Sequence, residues 1–294
     1  MNENNKDIPF SLDNLEKRKI KEIEHSRKRR AILQGFERHS DTSKSEVADN
    51  LDSAILDRNA FDYNFSNMKF YSITKKSEEY QYGWLKERCM PGVKVLDFGC
   101  GNGENGIYAA RCGAEVIGID ISPEGVANAN LNGKQAGVDD HCRFEVMDGE
   151  NMIFADNTFD FGVEYGVLHH VDLDKAMIEL HRVLKPDGEM ICVEALRHNP
   201  LIHWYRKKTP HLRTEWEVEH ILGIESLAIV RKYFHKVDVK FFHLVALAAV
   251  PFRKICFFRP MRAFLDKIDS VLLRNKVIGK FGWIMIFTMS KSKK

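Results

Sequence analysis

The chain of 294 residues is 44% hydrophobic and 29% charged, with a formal net charge of +2. That apolar fraction excludes a chain disordered throughout, and the absence of any uninterrupted apolar run of about 18 residues excludes a polytopic membrane protein. Six cysteines without a C-x-x-C pair argue against a disulfide framework or a zinc site, and MNENNKDIPF lacks the charged-then-apolar order of a secretory leader. The expectation is a cytoplasmic protein with reduced thiols and no bound metal.

Charge is unevenly distributed along the sequence. Eleven Lys/Arg stand against two Asp/Glu from residue 251 onward, while residues 41–250 are net acidic. A basic carboxyl-terminal region predicts an ordinary solvated surface or contact with something anionic. Residues 11–38 are dense in both signs with a thin stripe of Leu12, Leu15, Ile20 and Ile23, and read as an exposed helix; residues 39–70 read as a polar linker. Residues 1–70 thus form a charged helical extension ahead of a domain over 71–294. A second helix is predicted from about Ser77 to Met90, closed by Pro91-Gly92.

From Val93 the pattern becomes short apolar strands separated by helices. VKVLDF, EVIGID, RFEVM, FDFGVE and EMICVEA are strand-like; GENGIYAARCG, SPEGVANANLNGKQAG and DLDKAMIELHRVL are helical. Strands spaced in this way pair in parallel through right-handed crossovers, giving a doubly wound α/β Rossmann-like sheet. Segments near Val237–Leu244 and Trp283–Met289 bring it to seven mostly parallel strands, with an insertion after the fifth. FFHLVALAAV at 241–250 is too short to span a bilayer and reads as a sheet strand continuing into a substrate wall. Beyond it, MRAFLDKIDSVLLRNK carries Met261, Phe264, Leu265, Ile268, Val271 and Leu272 at helical spacing. Residues 251–276 are expected to fold back with Phe264, Leu265, Ile268 and Leu272 against protein, leaving Arg253, Lys254, Arg259 and Arg262 at the surface. Weak peripheral contact of this basic region with the inner membrane face is a secondary expectation.

In such a sheet the ligand sits beyond the carboxyl ends of the strands, beside the first. That places Asp97, Gly99, Cys100, Gly101 and Gly103 at the site, the glycines allowing close backbone approach to a ligand. Asp120 ends the second strand, where a carboxylate accepts hydrogen bonds from ribose hydroxyls, so an adenosine-containing ligand is indicated. Gly101, Gly103 and Gly106 also fit G-x-G-x-x-G, and the loop alone does not choose between cofactors.

VLDFGCGNG, IGIDIS, MDGENMIFADNTFD, EYGVLHHV and RVLKPDGEM, in that order over Val93–Glu194, resemble the class I S-adenosylmethionine-dependent methyltransferases of the type 11 family. The resemblance implies that Asp97 and the Gly99–Gly103 loop hold the methionine end of S-adenosylmethionine. It implies that Asp120 clamps the ribose with Ile121 against the adenine, and that Asp148 and Gly149 read the adenine edge. Glu164 and Tyr165 would border the methionine and the acceptor. His169 and His170 invite a general-base reading beside a structural one, and with Tyr165 they are the catalytic candidates. The insertion at 196–220, with His198, His203, Trp204, Tyr205, Arg206, His211 and Arg213, suits a planar or anionic acceptor; Tyr71 and Tyr80 join it from the amino-terminal side. The implied activity is methyl transfer to an O, N or C nucleophile of a small-molecule or lipid-linked acceptor, with no nucleic acid as partner. An NAD(P)-dependent oxidoreductase using the same loop, or an inactive cofactor-binding protein, are the alternatives.

Overall fold

The computed structural model describes residues 15–41 and 65–292, with side chains of 33–41 outside the description. Its centre is a seven-stranded sheet: β1 (Lys94–Phe98), β2 (Glu115–Asp120), β3 (Cys142–Val146), β4 (Phe159–Tyr165), β5 (Leu184–Ala195), β6 (Lys236–Phe242) and β7 (Ile284–Ser290). They lie in the order β3-β2-β1-β4-β5-β7-β6. The first five pair in parallel, while β7 runs antiparallel between β5 and β6. Near-continuous apolar sequence is what a strand covered on both faces requires, and Leu96, Phe98, Val163, Ile191, Met285 and Phe287 are buried accordingly.

Among the described residues ten α-helices accompany the sheet: α1 (Lys17–Asp41), α2 (Lys75–Arg88), α3 (Glu104–Arg111), α4 (Pro123–Gln135), α5 (Leu173–Val183), α6 (Pro200–Lys208), α7 (Glu215–His220), α8 (Leu227–Tyr233), α9 (Phe258–Leu272) and α10 (Lys276–Gly279). Local signals set their ends. Ser122 caps α4 by accepting from Gly125 N ahead of Pro123, and Asp172 and Asn199 cap α5 and α6 in the same way. α5 buries Ala176, Met177, Leu180 and Val183 on one face against the sheet.

Three segments differ from expectation. β6 ends at Phe242, because His243 takes a positive φ of 63° and Trp283 N bonds back to the carbonyls of Phe242 and His243. The apolar run then continues as a 3-10 segment, Val245–Phe252, rather than as a strand. α9 does fold back onto that segment, yet it turns Asp266, Asp269, Leu273 and the half-buried Arg262 inward, while Phe264 stays exposed. α1, read as an exposed helix, lies against the domain. Arg18 reaches Glu150, Lys19 reaches Asp148, and Arg27 reaches Glu124. Only Ile23 and Ile32 of its described apolar side chains are buried, so ion pairing supplies much of the attachment. The expected linker at 42–64 lies outside the described residues.

Candidate functional site

The turn after β1 is built from left-handed glycines: Gly99 at φ 70° and Gly101 at 56°. An L-residue there pays roughly 1–2 kcal/mol in backbone strain. At Gly99 a Cβ would also overlap Val167. The loop is moulded from below by the Phe144 ring on β3, into which a Cβ at Gly103 or Gly118 would run; at Gly106 a Cβ would meet that ring and the Asp97 carboxylate. Asp97 is buried under the turn, its Oδ2 accepting from Gly106 N at 2.9 Å, and burial raises its carboxyl to about 7. Asp97, Cys100 and Gly103 therefore shape the loop from within and do not line the cavity above it.

That cavity, of about 530 Å³, opens above the carboxyl ends of β1, β2, β4 and β5. One wall is Gly99, Gly101, Asp120 and Ile121; the other includes Tyr71, Tyr165, His169, His170, Arg206 and Arg213. Asp120 braces the turn by accepting from Gly101 N at 3.0 Å and from Ser122 N at 2.8 Å. A smaller extension of about 70 Å³ runs between Phe98, Ile121, Met147, Asp148, Gly149 and Val167, under Arg18, Lys19 and Glu22 of α1. Here Lys19 Nζ stands 2.6 Å from Asp148 Oδ2 and 2.9 Å from Glu150. α1 thus roofs one end of the cleft, a feature the sequence did not signal.

His169 and His170 face different carboxylates, with ring centroids 4.2 Å apart. His169 Nδ1 is 2.6 Å from Glu194 Oε2 at the end of β5, and Leu168 N donates to Glu194 Oε1. Burial acts to raise Glu194, but the adjoining His169 outweighs it and holds this carboxyl below its usual range. Glu164, next to it, is fully buried, and burial together with the Glu194 charge pushes its carboxyl well up. Glu164 Oε1 accepts from Val167 N, and the residue sits behind the cavity wall rather than in it. His170 Nδ1 lies 2.9 Å from Glu22 Oε2 of α1. Burial would depress His170, yet the bond to Glu22 and the charges of Glu217 and Glu194 raise it above its ordinary value. Glu194 was legible in principle, since it ends a strand as Asp97, Asp120 and Glu164 do.

The insertion divides. Tyr205, Arg206 and Arg213 line the cavity, whereas His203 and Trp204 point to solvent. Tyr71 lines it as well; Tyr80 does not, packing instead on Phe242 with Lys240 over its ring. Arg206 donates to Leu196 O and has no carboxylate at ion-pairing distance among the described residues. Burial and the neighbouring Arg213 lower its guanidinium to about 10, which still leaves it charged at neutral pH. No group of three His, Cys, Asp or Glu among the described residues is arranged to hold a metal ion.

Residues 96–192 match the methyltransferase domain family. An uncharacterized methyltransferase of Synechocystis is 33% identical over 157 residues, covering 49% of this chain and 71% of that protein. The chain belongs to the class I S-adenosylmethionine-dependent methyltransferases. A sterol 4-C-methyltransferase of Caenorhabditis elegans is 32% identical over 136 residues, 46% of this methyltransferase-family chain, which spans only 40% of that relative's length. Among solved structures, geranyl diphosphate C-methyltransferase of Streptomyces coelicolor superposes with a TM-score of 0.52 at 18% identity, covering 73% of this chain and 79% of its own, a likeness of fold.

Proposed function

We propose that the chain transfers a methyl group from S-adenosylmethionine to a small acceptor that carries an anionic group. The observation that carries this reading is one continuous cavity joining the Gly99–Gly101 turn and Asp120 to Tyr165, His169 and Arg206, so that donor and acceptor share a single chamber. The residues present fit the cofactor. Backbone donors and a strand-end carboxylate suit an amino-acid tail and a ribose diol, and Phe98, Ile121 and Met147 offer apolar faces to a purine. Asp120 would hold the ribose, and Asp148 with Gly149 the adenine edge, with Lys19 sharing the outer oxygen of Asp148. Asp97 supports the loop from beneath.

When bound, S-adenosylmethionine supplies an electrophilic methyl on a sulfonium. The protein's part is then to align the acceptor behind that methyl and to exclude water. α1 and the aromatic wall of Phe65, Phe70 and Trp283 serve exclusion. His169, oriented through Nδ1 by Glu194, is the group placed to take a proton from a weakly acidic acceptor, as an imidazole held by a carboxyl group does. A guanidinium held in the wall without a carboxylate is costly to bury, and an anionic acceptor would complete it with charge-assisted hydrogen bonds. Arg206 is accordingly the residue assigned to the acceptor, whereas Arg213 beside it is already paired with Glu217.

Calorimetric titration with S-adenosylhomocysteine and with NAD tests the cofactor half. Binding of the former alone is expected, and binding of NAD alone overturns the reading. For the acceptor half, Arg206→Ala is expected to leave the affinity for S-adenosylhomocysteine intact while raising KM for anionic acceptors in a labelled-methyl transfer assay. Equal KM for the variant and the parent chain would remove the anionic assignment.

A further inference from the structure

α9 carries an apolar row on its outer side as well as on the side that meets the core. Phe257, at its N-cap, Phe264 and Val271 are seven residues apart and so lie on one face. They are 69%, 63% and 66% exposed. The inward side buries Phe258 and Leu273, packs Met261 and Leu265 on the core, and holds two acids among them. Asp269 accepts from the backbone N–H groups of Leu244, Val245 and Ala246, and Asp266, also buried, stands beside Arg262. Those inward contacts, apolar and polar together, orient the helix and leave the row of Phe257, Phe264 and Val271 turned out.

Asp266 and Asp269 are the only two acids from residue 251 onward. Both being buried, the exposed charge of α9 and of the sequence flanking it is entirely positive, with Lys267 and Arg274 beside the apolar row. We propose that this face of α9 docks on an anionic lipid surface, Phe257, Phe264 and Val271 entering the headgroup boundary and Lys267 and Arg274 meeting lipid phosphates. Charge complementarity selects this occupant: a second copy would bring two cationic rims together, whereas an anionic bilayer attracts both the rim and the apolar row. No described helix is long and apolar enough to cross a membrane, so the contact is with the surface. α9 is also linked to the acceptor chamber through two packed segments. The 3-10 segment under α9 packs on the segment Ser66–Ile73, which precedes α2 and supplies Asn67, Phe70 and Tyr71 to the cavity wall.

The test is sedimentation of the full chain with vesicles of phosphatidylserine and phosphatidylcholine, and with phosphatidylcholine alone, at low and high salt. Pelleting with the anionic vesicles at low salt is expected, weakened at high salt because surface attraction is screened. Lys267→Ala and Arg274→Ala should each lower the partition coefficient about fivefold. Phe264→Ser should lower it tenfold or more; because that side chain is exposed, its loss leaves the fold intact, which a thermal melt verifies. Absence of pelleting at low salt overturns the proposal. So does equal pelleting of the Phe264→Ser variant, or a dimer in sedimentation equilibrium that Phe264→Ser dissociates, since the occupant is then a second copy.

Discussion

Replacing Glu150 with alanine should release α1 from the domain. The Glu150 side chain is 1% exposed and accepts from Arg18 through both oxygens at 2.6 Å, from Lys19 at 2.9 Å and from Asp172 N at 2.8 Å. Removing one member of a buried pair costs about 3–5 kcal/mol because the remaining charge is left unsolvated. Arg18 and Lys19 are nearly as buried as their partner, at 13% and 9% side-chain exposure. The helix has an escape, however: by detaching it returns both cations to water, so the loss cannot exceed its own docking free energy. Two buried isoleucines contribute about 1.5–3 kcal/mol each to that docking. Asp148 still holds Lys19, so the lower figure of about 3 kcal/mol applies, and it corresponds to roughly a hundredfold rise in the open population. Amide hydrogen exchange reads this directly. Residues 17–32 should exchange about a hundredfold faster in Glu150→Ala while the sheet amides keep their protection, and stopped-flow association of S-adenosylhomocysteine should quicken as the roof opens. Protection of α1 within a few-fold of the parent would refute the reasoning, since the ion pairs would then contribute nothing to closure.

Asp120→Ala should weaken S-adenosylhomocysteine by about ten- to a hundredfold, the worth of one or two hydrogen bonds to a charged group at about 1.5–3 kcal/mol, and unchanged affinity in calorimetry would exclude Asp120 from the cofactor site. The Glu22–His170 link gives α1 a pH window. Glu22 is lowered in the folded chain, so its contribution is present above 4.5 and lost as pH falls through the folded value; His170 is raised, so its contribution is complete below 6.5 and lost as pH rises through the folded value. Exchange protection of α1 should therefore be greatest between about pH 5 and 6.5, and a flat profile would dismiss the link. Asp269→Ala strips three backbone N–H groups of their acceptor and should cost about 2–3 kcal/mol, lowering Tm by about 5–10 °C, with Asp269→Asn less damaging. Equal melting temperatures would mean that water replaces the carboxylate.

The parallel half of the sheet and its glycine turn were legible because they depend on signals one or two turns long: apolar runs, N-caps and glycines. Three other features were not. Residues 243–250 are apolar whether they form a strand or a 3-10 segment, and what decides is the positive φ at His243, which no periodicity encodes. The stripe of α9 placed Leu265 on the core, but not the inward turn of Asp269, because its burial rests on backbone donors far away in sequence, nor the exposure of Phe264 and Val271. The docking of α1 is likewise made by ion pairs some 130 residues apart, between side chains that each look like ordinary surface charge. At the site, Asp120, Ile121, Asp148, Gly149, Tyr165 and His169 line the cleft, while Glu164 shares its strand-end position and lies behind the wall.

The ring of Phe144, against which Gly103, Gly106 and Gly118 lie, has a bearing on how this sequence can change. β3 is an edge strand, where composition ordinarily drifts with little penalty. Here one of its side chains fills the hollow that three glycines vacate, so ring and glycines form a single fitted unit spread over about forty residues of sequence. A smaller residue at 144 leaves a void beneath the turn, and a larger one at 118 collides with the ring; either is tolerated only alongside its counterpart. Mutational steps at 106, 118 and 144 are therefore coupled, whereas Gly103 is held besides by its φ of 86°, and efforts to reshape the turn by directed evolution will advance by paired replacements rather than single ones.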